Sequence, residues 1–133
     1  MRDFHKLTVW QKAHQLALAV YDATRRFPSD ELYGLTSQSR RAAASIAANI
    51  AEGCGRTGKG DFGRFLQIAA GSASELEYHL LLARDLGYLP EPVYRRLADN
   101  VCEVKQMLMS FMRKLAPTGG SQERACRKPT ADT

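Results

Sequence analysis

The sequence predicts an all-α fold, an antiparallel up-down-up-down four-helix bundle, from three observations. Apolar residues recur at spacings of three and four in four successive segments, as on one face of a helix. Connections of roughly four to ten residues separate the segments, and connections that short join antiparallel neighbours. No segment shows the strict alternation of a half-buried strand. The predicted helices span about residues 8–26, 35–52, 61–86 and 92–115 of one bundle domain, residues 1–115.

The first helix is predicted to begin at Thr8, whose hydroxyl can accept from free backbone N–H groups while Gln11 completes a capping box. It is predicted to end near Arg26, before a turn at residues 28–30. Further apolar residues within 13–21 make this helix apolar nearly all round. Its main stripe consists of Trp10, Ala13, Ala17, Val20, Thr24 and Phe27.

The second helix is predicted to end at Gly53, which suits a left-handed C-cap. Its alanines allow close approach to a neighbouring helix; they are Ala42, Ala43, Ala44, Ala47, Ala48 and Ala51. The third helix is predicted to begin at Asp61, a favourable N-cap, and to end at Leu86 before Gly87. Beside one strict apolar stripe it carries a second with a polar middle, made of Phe65, Ile68, Ser72, Glu75, His79, Leu82 and Leu86.

Pro90 and Pro92 mark the start of the fourth helix, because proline is tolerated in a first helical turn. The helix is predicted to run to about Leu115, with a coiled-coil-like stripe of Leu97, Val101, Val104, Leu108, Phe111 and Leu115. Residues 116–133 are polar with almost no large apolar side chain, so we expect a disordered C-terminal tail.

The composition is that of an ordinary globular domain, with 133 residues, 44% of them hydrophobic and 25% charged. The apolar stretch 13–21 is too short to span a bilayer and the N-terminus lacks the apolar core of a secretion signal, so we expect a cytoplasmic protein. The three cysteines are widely spaced, which favours reduced thiols. The net charge of +5 and the pI near 9.3 suit a nucleic-acid-binding domain but do not define a partner.

The apolar surface exceeds what one bundle seam needs, because helix 1 is apolar nearly all round and helices 3 and 4 have widened stripes. A homo-oligomer would bury the excess. A tightly packed monomer with broad seams is the alternative.

The glycine-rich segment 53–60 matches G-x-G-x-x-G and nearly matches the P-loop pattern G-x-x-x-x-G-K-[ST]. Context argues against a nucleotide site, because a helix rather than a strand enters the segment and Gly60 replaces the Mg²⁺-binding hydroxyl. A plain connector is one interpretation. The other is an anion site in which Arg56, Lys59 and Arg64 surround the N-terminus of helix 3 and hold a backbone phosphate.

No catalytic site, metal site or cofactor is predicted. A di-iron bundle needs two Glu-x-x-His pairs, and no histidine follows a glutamate by three. Acid–base catalysis by two carboxylates is an alternative that lacks a nucleophile. We expect a structural polar layer between helices instead, in which Arg41, Arg64 or a backbone N–H group is the partner of a buried charge. The members of this layer are Asn49, Glu52, Ser72, Glu75 and His79.

Basic residues occur in four pairs, which are Arg25 with Arg26, Arg40 with Arg41, Arg95 with Arg96, and Arg113 with Lys114. Most such pairs on helices are simply solvated faces. The other explanation is weak phosphate-binding patches that an oligomer would repeat around its axis. Aromatic residues do not interleave with them, so we expect salt-sensitive binding to the backbone and no stacking platform for bases. The candidate phosphate-binding residues are Arg25, Arg26, Arg40, Arg41, Arg56, Lys59 and Arg64.

Seven short segments carry a resemblance to a known family, namely residues 7–13, 27–28, 31–38, 40–53, 71–72, 75–77 and 85–89. In this order, over roughly residues 3–115, the chain resembles the bacterial four-helix bundle proteins known as 23S rRNA intervening-sequence proteins. Ala47 stands where the family often has proline. The resemblance implies a cytoplasmic bundle that assembles into a homopentamer, and it implies no catalytic residues. It also implies kinship with the accessory variability determinant proteins of diversity-generating retroelements, which partner a reverse transcriptase and nucleic acid.

We therefore expect a non-enzymatic oligomeric adaptor that engages RNA or DNA, or an enzyme acting on them, through repeated basic patches and without a membrane. The alternative is a protein–protein interaction scaffold that uses apolar helix faces and has no nucleic-acid role. A fall in affinity for RNA and DNA with rising salt separates the two.

Overall fold

A computed structural model describes residues 1–116 and contains four long helices. They are α1 (Thr8–Thr24), α2 (Ser37–Cys54), α3 (Lys59–Asp85) and α4 (Glu91–Leu115). No strand occurs among these 116 residues, so the all-α prediction is confirmed. The predicted disordered tail, 116–133, lies outside the described residues except for Ala116.

Helices that follow one another in the chain pack together, and α1 also packs against α4, which closes a four-helix bundle. Along the α2–α3 seam the contacting pairs are Arg41 with Glu75, Ser45 with Ser72, and Gly53 with Phe62. Along the α3–α4 seam they are Arg84 with Tyr94, Glu77 with Lys105, and Phe62 with Phe111. Residue numbers rise on one helix as they fall on the other, so these neighbours are antiparallel.

The core runs along the bundle axis and draws on all four helices. The apolar stripes of the sequence fill it, because a helix buries residues that recur every three or four positions. Its largest fully buried side chains are Leu16, Val20, Ile46, Ile50, Leu66, Leu76, Leu80, Leu97, Val101, Val104, Leu108 and Cys54. The predicted stripe of α4 is buried as far as Leu108, whereas Phe111 and Leu115 are only half-buried.

The predicted capping box of α1 is wrong. Leu7 is the N-cap and makes no side-chain capping hydrogen bond, while Thr8 is already helical. Gln11 instead donates through Nε2 to the backbone oxygen of His5 at 2.8 Å. The 3₁₀ turn Phe4–Lys6, which the side chain of Asp3 caps by accepting from the backbone N–H of His5, places that carbonyl within reach.

Two predictions about the α2–α3 connection are also wrong. Gly53 is helical, not a left-handed cap, because α2 continues to Cys54. The third helix begins at Lys59 after Gly58 as N-cap, so Asp61 lies in the first turn and not at the cap. The carboxylate of Asp61 still stabilises that helix end, since it lies at the positive pole of the helix dipole.

The opposite end of the bundle holds the other two connections. The segment Leu32–Thr36 precedes α2 and is kinked at Gly34, whose φ of −111° and ψ of −113° are not helical. The helix α2 therefore begins two residues later than predicted. Gly87, with φ of 82°, ends α3 in the left-handed conformation that glycine adopts most readily. The next residue, Tyr88, donates through its hydroxyl to Glu31 Oε2 at 3.0 Å and packs against Phe27. The two connections are thus fixed to each other.

Candidate nucleic-acid interface

Three candidate cations lie around the first turn of α3. Arg56 donates to Glu52 at 2.8 Å, whereas Arg64 approaches Asp61 only to 3.9 Å. Lys59 forms no ion pair with any residue of the described part. The short connection 55–58 therefore brings three positive charges together, and two of them are available to an external anion.

Phe65 positions both arginines of this cluster. The centroid of its ring lies 5.2 Å from Cζ of Arg56 and 5.1 Å from Cζ of Arg64, within the range of a cation–π interaction. The Cβ of Phe65 lies against Gly53 of α2. The expectation about aromatic residues concerned the basic pairs, and Arg56 and Arg64 belong to none of those pairs. Phe65 meets both arginines because the short connection 55–58 brings Arg56 beside α3. The rings support the arginines and do not offer bare faces to bases.

The backbone of this turn adds to the positive potential. The N-cap Gly58 has no side chain to accept a hydrogen bond, so the N–H groups of the first turn have no capping side chain. Such groups and the helix dipole favour an anion. A groove of about 390 Å³ opens beside them, with Lys59 and Arg64 on one side and Met112 and Leu115 of α4 on the other.

Four further cations lie at this end. Arg113 and Lys114 form one of the basic pairs of the sequence but were not among the candidate phosphate-binding residues, and Arg2 and Lys6 were not singled out at all. Arg2 donates its backbone N–H to the oxygen of Cys54 at 2.9 Å, and its guanidinium lies 4.6 Å from the centroid of the Phe62 ring. The antiparallel order, which places the start of α1 beside the end of α4, was the signal that could have identified them. We call the set Arg2, Lys6, Arg56, Lys59, Arg64, Arg113 and Lys114 the basic end.

The other candidate cations do not form one group. Arg25 and Arg40 line a groove of about 320 Å³ at the opposite end of the bundle. Arg40 is held there by a 2.8 Å hydrogen bond from Nε to Thr24 Oγ1. Arg26 is exposed outside that groove, and Arg41 lies on the far side of α2, where it pairs with Glu75 at 3.1 Å.

The residues named for the polar layer are distributed along the α2–α3 seam, with one exception. Asn49 and Ser72 both meet Ser45, a residue that the sequence did not indicate: its Oγ is 2.9 Å from Ser72 Oγ and 2.9 Å from Asn49 Nδ2. Glu75 lies farther along and receives Arg41. Glu52 lies outside the seam network, since its described partner is Arg56 of the connection that follows α2.

His79 is the most buried member of this layer, with a side chain 7% exposed. Its Nε2 lies 3.5 Å from Glu75 Oε2, and its Nδ1 has no hydrogen-bond partner among residues 1–116. Burial lowers the pKa of His79, opposed by the charge of Glu75 and reinforced by that of Arg41. No hydroxyl or thiol in the described part is hydrogen-bonded to His79, so the layer contains no nucleophile–base pair.

Metal ligands do not converge within residues 1–116, where no three His, Cys, Asp or Glu side chains form a group. The thiols of Cys54 and Cys102 are buried, and burial raises the pKa of Cys54. No helix of the described part is long and apolar enough to cross a membrane.

These features define a class: a small all-α protein that folds as one four-helix bundle. The sequence pattern of the 23S rRNA-intervening sequence protein family matches residues 5–110, and the chain belongs to that family.

The structure is also similar to the crystal structure, at 1.70 Å resolution, of a protein of unknown function from the S23 ribosomal protein family of Bacteroides thetaiotaomicron VPI-5482. The TM-score is 0.75 and the sequences are 25% identical, over 80% of this chain and 99% of that one. The comparison with curated proteins gives no significant match.

Proposed function

We propose that the protein is a non-enzymatic oligomeric adaptor that binds the phosphate backbone of RNA or DNA through its basic end. The observation that carries this proposal is the convergence of Arg56, Lys59 and Arg64 on the N-terminus of α3, where no side chain caps the helix. Backbone N–H groups and fixed guanidinium groups bind phosphate without reading base sequence.

Self-association is the second part of the proposal. Leu18 and Tyr21 of α1 are 58% and 42% exposed, although both are large and apolar. Ala44 and Ala48 of α2 are also exposed. They lie beside the two apolar residues of α1, because Arg40, one turn before Ala44 on α2, contacts the ring of Tyr21. We call Leu18, Tyr21, Ala44 and Ala48 the α1–α2 face. A second copy that packed there would bury the apolar excess, and the family resemblance favours a pentamer.

The test is a titration of labelled single-stranded and double-stranded oligonucleotides, followed by fluorescence anisotropy. If each protomer neutralises about three phosphates, raising the salt from about 50 to about 200 mM weakens binding roughly 20-fold for single strands and roughly 40-fold for duplex. The triple variant Arg56→Gln, Lys59→Gln, Arg64→Gln is expected to lose most of this dependence.

The matched control is Arg25→Gln, Arg26→Gln, Arg96→Gln, which removes the same charge from the opposite end. It is expected to retain most of the wild-type affinity. Binding that is insensitive to salt, or an equal loss in both triple variants, contradicts an interface at the basic end. Absence of binding at low salt favours the scaffold alternative instead.

A further inference from the structure

An open groove lies between the start of α1 and the last three turns of α4, and its volume is about 520 Å³. Its floor is apolar: Val9 is buried at the bottom, and Leu7, Met107 and Phe111 are half-buried around it. Residues 103–114 of α4 line it, a length of roughly 16 Å at 1.5 Å per helical residue. We call it the α1–α4 groove.

Positive charge is concentrated at the Phe111 end of this groove. Lys6 and Lys114 both line it, and the guanidinium of Arg2 lies 5.7 Å from the centroid of the Phe111 ring. None of these three cations lies within ion-pair distance of an acidic group in residues 1–116. At the other end the charge of Glu103 is balanced by Lys12, 3.1 Å away. The groove thus has one cationic end and one neutral end.

The side walls of the groove are polar and open, so the groove covers only one side of a ligand. Thr8 and Gln106 are exposed at its rims and Ser110 is half-buried. An acyl chain is apolar all round and would leave one side in water in this open groove, whereas a helix would bury one apolar face and turn its polar face to solvent. Methionine at the floor, with three rotatable side-chain bonds, adapts to such a face.

We propose that the α1–α4 groove docks an amphipathic helix of a partner protein, whose apolar stripe leads into acidic residues at the cationic end. The chain's own segment 117–133 is a poor complement, because it carries three basic and two acidic residues and no large apolar one. The protein would then join two partners, nucleic acid at the α3 side of the basic end and an acidic helix at the α1–α4 side.

The probe is a fluorescein-labelled designed peptide of about four helical turns, with leucines spaced by three and four and glutamates at one end. It is titrated into the full chain. The variant Lys6→Glu, Lys114→Glu is expected to bind it at least about tenfold more weakly, because attraction becomes repulsion. Ser110→Trp fills the groove and is expected to weaken binding as much without any change of charge.

Arg26→Glu, Arg96→Glu is the matched control, since it makes the same change of charge at the opposite end and is expected to keep wild-type affinity. Circular dichroism establishes that each variant is folded. The proposal is overturned if the peptide does not bind, if a scrambled peptide of identical composition binds equally, or if both charge-reversed variants lose affinity alike. The proposal is also overturned if dodecanoate displaces the peptide, because the groove then binds an acyl chain. It is overturned as well if the peptide is displaced by an oligonucleotide that still binds the variant in which Arg56, Lys59 and Arg64 are replaced by glutamine.

Discussion

Gly53 has no Cβ, and this allows α2 and α3 to approach each other closely. A Cβ built on Gly53 would lie 2.9 Å from Cβ of Phe65, closer than Cβ atoms come in folded proteins, and 3.0 Å from Cδ1 of Phe62, which is a tight contact. The close approach lets Phe65 contact both Arg56 and Arg64. Packing of two helices at one residue therefore determines where the charges of the candidate interface stand.

Gly53→Ala is expected to destabilise the fold by about 1–3 kcal/mol, because the methyl group can be accommodated only if the two phenylalanines or the helices move. Urea unfolding followed by circular dichroism measures the change. Gly71→Ala is the control: it lies in the interior of α3 with no atom within 4 Å of the added Cβ, and should stabilise by about 0.5–1 kcal/mol. Equal effects of the two substitutions would contradict the close contact.

His79 gives the fold a dependence on pH. Burial, partly offset by the charge of Glu75, holds its pKa in the folded chain below the ordinary value of 6.5. The unfolded chain therefore takes up this proton first as the pH falls through about 6.5, and the folded chain loses stability from there downward. Above that pH both states are neutral at this residue and it contributes no pH dependence.

His79→Gln removes the titrating group, so the drop in the urea midpoint between about pH 7.5 and about pH 5.5 should be smaller in the variant than in the wild type. Chemical shifts of the His79 ring protons in the folded protein give an independent measurement. A pKa of His79 at or above the ordinary value, or an unchanged drop in the variant, would show that burial does not govern this group.

At the scale of elements, the stripes of the sequence predicted the four helices because burial selects residues at helical spacing. The second stripe of α3 could be recognised but not assigned to solvent, core or seam, since this depends on which helix lies opposite. Arg41, one of two charge partners considered for the polar layer, does meet Glu75. Ser45 was missed because a serine among alanines carries no periodic signal until the register of α2 against α3 is known.

The pair Ser45 and Ser72 tests that register. Ser45→Ala is expected to cost about 1 kcal/mol, because it leaves Ser72 and Asn49 without their described side-chain partner in a half-buried seam. In a double-mutant cycle, Ser45→Ala and Ser72→Ala should show a coupling of about 0.5–1.5 kcal/mol. Ser74 is exposed on α3, the helix of Ser72, so Ser74→Ala should leave the free energy of unfolding unchanged. Strictly additive effects of the seam pair would contradict the 2.9 Å contact.

At the scale of the whole molecule, charge and apolar surface are separated along the bundle. The basic end gathers cations from the termini of all four helices, whereas the α1–α2 face lies on the side of the bundle. A copy docked on that face leaves the basic end uncovered, so self-association would present several basic ends to one nucleic-acid strand. Binding of a long polyanion then exceeds binding of a short one without any new contact.

Leu18→Glu separates these two contributions, because it places a charge in the α1–α2 face and leaves the basic end intact. Sedimentation velocity is expected to show a monomer, and affinity for a strand long enough to span several protomers should fall by about 100-fold or more. Affinity for an oligonucleotide short enough to contact one protomer should stay within about twofold of the wild type.

Leu86→Glu is the matched control, since Leu86 is also a half-exposed leucine, 50% accessible, but lies at the α3–α4 connection away from that face. It should leave both the assembly and the long-strand affinity unchanged. If Leu18→Glu remains oligomeric, the subunits meet elsewhere. If it is monomeric yet binds the long strand as tightly as the wild type, each protomer contains a complete site, because repetition of the basic end then contributes nothing to affinity.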